Sequence, residues 1–128
     1  MCAAVADFTP VVKSDKKVKR GKENFVIELK PNPDIAAGLG KIKKEGQILA
    51  GFALETDDEE KNAILKLQKK NLDFIVLNSL NDKGAGFQTD TNKITIIDKY
   101  NKSFNFELKS KAEVAKDIID RLIEEMGL

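Results

Sequence analysis

The sequence predicts an α/β domain, and three observations carry that prediction. Short apolar runs of strand length alternate with amphipathic segments of helical period. Two helix starts carry capping boxes, Thr56 to Glu59 and Ser110 to Glu113. Near the end, two alternating segments, Lys93–Asp98 and Ser103–Leu108, flank Lys99–Lys102 as a β-hairpin would.

Taken in order, Met1–Asp7 is small and apolar on both sides, as an internal strand buried on two faces would be. Natural termini are usually polar, so a strand at position 1 is expected to be the inside of a sheet whose opening strand lies upstream. Phe8–Lys30 follows, mostly polar, with Lys13, Lys16, Lys17, Lys19, Arg20 and Lys22 in a dense basic stretch and Phe25–Leu29 as a short strand. Residues 9–30 read as a flexible basic flap, since a connection of this length is a functional or mobile loop. At Asn32-Pro33-Asp34 a helix is expected to start: Asn32 as cap, Pro33 in the first turn, Asp34 on the helix dipole. Ile35, Leu39 and Ile42 give that helix one apolar stripe, and Gly46 stops it. Ile48–Leu54 is a second buried strand. The Thr56–Glu59 box then opens a helix that runs to about Lys70. Leu72–Leu77 is a third strand and Asn78–Gly86 a loop. After the hairpin, the Ser110–Glu113 box opens a last helix with Ala115, Ile118, Ile119, Leu122 and Met126 on one face. This order implies right-handed crossovers and a Rossmann-like three-layer sandwich, with a mostly parallel sheet and a C-terminal β-hairpin.

Composition narrows the chemistry. The 128 residues suit one domain, with no repeat and no internal boundary visible. Charge is high but balanced at +1, which argues against a nucleic-acid binder. No apolar run approaches the roughly 20 residues that span a bilayer, so no membrane partner is expected. One cysteine excludes an internal disulfide and fits a reducing, cytoplasmic compartment. With no histidine, serine–histidine and cysteine–histidine catalysis within the chain are excluded, and a structural zinc site is not expected. Chemistry here must use lysines, carboxylates, amides and backbone.

Open parallel sheets bind ligands beyond the carboxyl ends of their strands. Three such ends are legible: Ala6-Asp7-Phe8, Gly51-Phe52-Ala53 and Leu77-Asn78-Ser79. The helix start at Asn32 belongs on the same edge, where free N–H groups suit a phosphate or carboxylate. With the basic stretch, these make an anionic-ligand cleft with a cationic flap. Each part also has a plain structural reading. Asp7 can be a turn residue, Asn32 a cap, Phe52 core, and the lysine run a solvated loop. Lys66 and Lys70, at i and i+4, can clamp a phosphate or simply complement a helix end. No Gly-x-Gly-x-x-Gly and no P-loop is present, which speaks against a dinucleotide-binding domain.

Six ordered segments carry a resemblance. They are Ala3-Ala4-Val5-Ala6-Asp7-Phe8, Lys16-Lys17-Val18-Lys19-Arg20, Asn32-Pro33-Asp34-Ile35, Gly51-Phe52-Ala53-Leu54-Glu55-Thr56, Lys66-Leu67-x-x-Lys70-Asn71-Leu72-Asp73 and Gly86-Phe87-x-x-Asp90-x-Asn92. Together they resemble phosphopantothenoylcysteine synthetase, in bacteria commonly the C-terminal half of a bifunctional coenzyme A biosynthesis flavoprotein. By this resemblance residues 1–128 are the C-terminal portion of such a synthetase domain. The family's Gly-rich opening segment and its Asn-x-Ser-Ser-Gly motif have no counterpart here, nor does the flavin-dependent decarboxylase half, so no flavin is expected.

The resemblance implies a reaction and its residues. CTP, with Mg²⁺, activates the carboxylate of 4′-phosphopantothenate as an acyl-cytidylate and releases pyrophosphate. The amine of L-cysteine then displaces CMP. Lys17 matches the flap lysine that helps form the acyl-cytidylate. Met1, Cys2, Ala3, Asp7, Lys17, Lys30, Pro31, Asn32, Pro33, Phe52, Lys66 and Lys70 match CTP-contacting positions. No metal ligand is assigned. The family is dimeric, so a homodimer is expected; an alternative is a non-catalytic nucleotide-binding or assembly domain. One tension is built in: lysines late in a helix after a strand should point away from the ligand edge.

Overall fold

The computed structural model describes residues 5–21, 24–79 and 89–128. They fall into two compact units, Met1–Ile35 and Ala36–Leu128. Met1–Ala4, Lys22 and most of the expected 78–86 loop lie outside the described residues.

The first unit is a ribbon. Strand β1 (Phe8–Pro10) pairs antiparallel with β2 (Leu29–Pro31), placing Thr9 opposite Lys30. This corrects two expectations. Val5, Ala6 and Asp7 are exposed and outside any strand, and the short strand is Leu29–Pro31, not Phe25–Leu29. The reason is visible in the pairing. Pro10 and Pro31 supply no N–H, which confines such strands to edges and ribbons. Beyond the ladder, the Val11 N–H donates to the Glu28 carbonyl at 2.9 Å, and the Asn32 N–H to the Asp7 carbonyl at 2.8 Å.

Helix α1 (Ile35–Ile42) begins three residues after Asn32. Asn32 does not cap it: its side-chain amide donates to the Ala6 carbonyl at 2.7 Å. Strand β3 (Ala50–Glu55), helix α2 (Glu59–Lys69) and strand β4 (Phe74–Ser79) then form a parallel crossover unit, with Ala50 opposite Phe74 and Glu55 opposite Ser79. Two short strands, β5 (Thr91–Asn92) and β8 (Lys109–Ser110), pair with one another. Between them β6 (Ile94–Asp98) and β7 (Ser103–Asn105) form the expected hairpin. Helix α3 (Lys111–Met126) closes the chain. The main sheet has the order β3-β4-β6-β7. Its β3–β4 pair is parallel, while β4–β6 and β6–β7 are antiparallel, so among the described residues the sheet is mixed and not mostly parallel. The short turn of the hairpin accounts for the reversal between β6 and β7. The α/β class stands.

The core explains why this unit holds. Strand β4 is buried on both faces. On one face Ala63 and Leu67 of α2 pack with Ala53, Ile75, Leu77 and Ile97. On the other, Val114, Ile118 and Leu122 of α3 pack with Phe74, Val76, Ile94 and Ile96. Three layers result, helix on sheet on helix. Phe74 and Ile96 are fully buried, each contributing about 1.5–3 kcal/mol of transfer free energy. Ala115, Ile119 and Met126, expected on the buried stripe of α3, are exposed, because the contact face is centred on Val114, Ile118 and Leu122 instead.

The two capping boxes part ways. Ser110 and Glu113 bond reciprocally, with the Glu113 N–H reaching Ser110 Oγ at 3.3 Å. Thr56 does not cap α2. The preceding residue of that helix is Asp58, in left-handed conformation at φ 42° with no side-chain cap, and Thr56 Oγ1 donates to Asp57. Glu59 is engaged elsewhere, accepting a 2.7 Å bond from Ser79 Oγ at the end of β4.

Candidate functional site

In the ribbon unit the predicted residues cluster at one place, the base of the β1–β2 hairpin. Asp7 and Asn32 face one another across its neck through the 2.8 Å main-chain bond, and the Asn32 amide ties Ala6 as well. Lys30 and Pro31 lie in β2 beside them, and Pro33 follows. The sequence pattern puts Asp7 and Asn32 on one edge, but does not announce their pairing in a hairpin neck. The segment between Val11 and Glu28 is therefore a hairpin loop anchored at its base. Its basic residues Lys13, Lys16, Lys17, Lys19 and Arg20 are exposed. Ser14 Oγ donates to the Lys16 carbonyl at 2.7 Å, a local turn just before Lys17.

In the sheet unit Phe52 and Lys66 lie on and beside β3, which is at the edge of its sheet among the described residues, whereas Lys70 lies at the opposite, amino-end side. Phe52 is 67% exposed, so the reading as a core residue fails and its ring is open to a ligand. Alternation puts Phe52 on one face and Glu55 on the other. Lys66 lies on the Glu55 side, with its Nζ 2.5 Å from Glu55 Oε1. For Lys66 this removes the tension in the sequence reading; for Lys70, at the far end of α2, the tension stands. Helical side chains lean toward the helix N-terminus, so a long lysine in the middle of α2 reaches back to the carboxyl end of β3. Lys70, one turn later, is the C-cap of α2 and half-buried. Any ligand that touches both Phe52 and Lys66 must lie across the end or the outer edge of β3.

A cleft of about 410 Å³ lies elsewhere, between the end of α1, the starts of β3 and β4, and α3. Two of its cations, Lys43 and Lys99, are paired. Lys43 Nζ is 2.9 Å from Asp73 Oδ2, and Lys99 bridges Asp73 and Glu125 at 3.6 and 3.7 Å. Burial pushes the Asp73 carboxyl upward. The Leu49 N–H, Lys43 and Lys99 outweigh this and hold it below the ordinary carboxylate range. That arrangement is a structural clamp at the amino ends of the strands, away from the expected ligand edge.

The family model for the DNA/pantothenate metabolism flavoprotein C-terminal domain matches residues 1–126. The chain belongs to this family. Among curated relatives, a cysteine/cysteine sulfinic acid decarboxylase from an unknown prokaryotic organism is 63% identical over 96% of the chain and 34% of its own length. The coenzyme A biosynthesis bifunctional protein CoaBC of Bacillus subtilis is 46% identical over 94% of the chain and 29% of its own length. The chain thus spans about a third of the length of these relatives. Among solved structures, the C-terminal domain of a CoaBC protein superposes with a TM-score of 0.67 at 37% identity, covering 78% of this chain and 48% of that one. The DNA/pantothenate metabolism flavoprotein from Streptococcus pneumoniae gives 0.70 at 23% identity, over 95% of this chain and 60% of that one, a likeness of fold.

For a member of the DNA/pantothenate metabolism flavoprotein C-terminal domain family, the structure assembles the expected residues in two places. It joins Asp7 with Lys30–Pro33, and it draws Lys66 to the end of the strand that carries Phe52. Met1, Cys2 and Ala3 lie outside the described residues. Sequence reasoning missed Glu55 as the partner of Lys66. It also missed the 3.1 Å amide bond from Asn92 to Asn78 at the end of β4. Both pairs join elements whose adjacency depends on the crossover and the hairpin, so spacing alone carried no signal. Among the described residues no group of three acidic, cysteine or histidine side chains is placed to hold a metal ion, and no helix is long and apolar enough to cross a membrane.

Proposed function

We propose that this chain is the nucleotide-handling part of a CTP-dependent ligase in coenzyme A biosynthesis. Such a ligase joins 4′-phosphopantothenate to L-cysteine through an acyl-cytidylate. The observation that carries the proposal is the anchored hairpin, with Asp7 and Asn32 at its base and Lys17 in its exposed basic loop, in a chain of this family. In the first step a carboxylate oxygen of 4′-phosphopantothenate attacks the α-phosphorus of CTP, and pyrophosphate leaves. In the second the cysteine amine attacks the acyl carbon, CMP leaves with the bonding electrons, and an amide remains. Neither step needs a histidine or a thiolate from the protein. Both need positioning and offset of negative charge.

Lys17 supplies a mobile cation for the phosphates and the acyl-cytidylate. Asp7 and the Lys30–Pro33 turn contact the nucleotide. Phe52 offers a ring face, and Lys66 and Lys70 offer cations. Mg²⁺ would enter with the CTP phosphates and help to offset their charge. The protein acts in the cytoplasm as a homodimer, with a decarboxylase half in longer relatives.

A Lys17→Gln change, made in a protein carrying this segment together with the family's Asn-x-Ser-Ser-Gly segment, tests the assignment. Turnover of the acyl-cytidylate should fall on the order of tenfold to a hundredfold. Thermal unfolding should not move, because Lys17 is exposed. Unchanged turnover overturns the role of Lys17.

A second reading, a non-catalytic nucleotide-binding or assembly domain, draws on a different observation. Strand β3 pairs only with β4 among the described residues and presents exposed Phe52 and Leu54.

A further inference from the structure

We infer that Glu55 is a built-in counter-ion that competes with the ligand's phosphates for Lys66. This inference rests on the assignment of Lys66 to the nucleotide. Glu55 ends β3 and its side chain is mostly buried, at 13% exposure, whereas Lys66 retains 45%. The contact between them is close, at 2.5 Å, yet Glu55 Oε1 meets no aligned hydrogen-bond donor among the described residues. With the lysine half exposed, such a pair is worth little in water, and its ammonium can pass to a stronger anion.

The asymmetry of burial decides which partner moves. Glu55 is fixed in the sheet, opposite Ser79 of β4. The Lys66 ammonium sits at the end of a flexible four-carbon stem. With no anion present, Glu55 draws the ammonium back along α2 to the carboxyl end of β3. A polyphosphate reaching that end must displace the carboxylate, so part of its attraction for Lys66 is spent in separating the pair. Glu55 thus acts as a positioning residue with a cost: it aims the lysine, and it weakens retention of the anion. For an enzyme that must release pyrophosphate and CMP, this favours turnover over tight binding.

Sign separates this role from a merely structural one. Loss of a supporting residue weakens a site, whereas loss of a competing counter-ion tightens it. The experiment is titration of inorganic tripolyphosphate into the chain at low ionic strength, for the wild type, Glu55→Gln, Lys66→Gln and the double variant. Circular dichroism melts accompany each, to show that the near-isosteric glutamine at 55 leaves the fold intact. The expected result is about fivefold tighter binding for Glu55→Gln and about fivefold weaker binding for Lys66→Gln, the size of one exposed ion pair. The gain from Glu55→Gln should vanish when Lys66 is absent. If wild type binds, Lys66→Gln weakens it and Glu55→Gln does not tighten it, the counter-ion role is overturned while the assignment of Lys66 stands. If Lys66→Gln leaves binding unchanged, or wild type does not bind, the assignment falls and the counter-ion role falls with it.

Discussion

Asp73→Ala should destabilise the sheet unit by about 3–5 kcal/mol in denaturant unfolding, the range for removing one partner of a buried ion pair. Asp73 precedes β4 and is 7% exposed. Its Oδ2 accepts from the Leu49 N–H at 2.8 Å and from Lys43 Nζ at 2.9 Å, and Lys99 stands 3.6 Å from Oδ1. Its own N–H and carbonyl pair with Leu49 and Lys99. One carboxylate therefore ties α1, the start of β3 and the turn after β6. Alanine leaves Lys43, itself mostly buried, without its counter-charge, and leaves the Leu49 N–H unpaired.

The same group fixes an acid limb. Its folded pKa lies below the unfolded value near 3.9. The stability it contributes is therefore complete above about pH 5 and disappears as pH falls through the folded pKa. The stability gap between wild type and Asp73→Asn should be constant from pH 7 to about pH 5 and should close below that. A gap that persists unchanged into strong acid contradicts the clamp.

Gly40→Ala should cost about 3 kcal/mol, although alanine is ordinarily the better helix former by about 1 kcal/mol. Gly40 is buried in α1. A Cβ there would lie 1.9 Å from the Lys70 carbonyl oxygen and 2.8 Å from its carbon, which are main-chain atoms that cannot swing aside. The approach is sealed by Asn71, whose side-chain amide donates to the Gly40 carbonyl at 2.8 Å from a left-handed backbone at φ 52°. The cost falls on the C-cap of α2, where Lys70 sits. Gly38 is the internal control. A Cβ there meets nothing within 4 Å, so Gly38→Ala should be stabilising by about 0.5–1 kcal/mol. Equal effects at the two positions in urea unfolding would refute the close-approach account.

Much of the sheet unit was legible because burial writes itself into composition. The run that became β4 is apolar and buried, the β6–β7 hairpin alternates, and Ser110 with Glu113 states its cap outright; β3 is a strand as expected, but of its residues only Ala53 is buried. What failed was local chemistry overridden by longer-range contacts. Thr56 and Glu59 have the spacing of a capping box, but Ser79 takes the Glu59 carboxylate and Asp58 adopts a left-handed turn. Asn32 reads as a helix cap, but Ala6 and Asp7 offer it carbonyls, and a hairpin neck forms instead. The candidate site divides in the same way. Phe52 and Lys66 could be named from their segments. The pairing of Lys66 with Glu55 could not, because it joins a strand end to a residue two turns along the following helix.

Isothermal titration of CTP with Mg²⁺ into the purified chain tests whether it carries a CTP-handling surface. A saturable heat of binding is expected, weakened in Asp7→Asn and in Lys66→Gln, with unfolding curves unchanged. No heat at millimolar CTP, or equal binding by both variants, would contradict it.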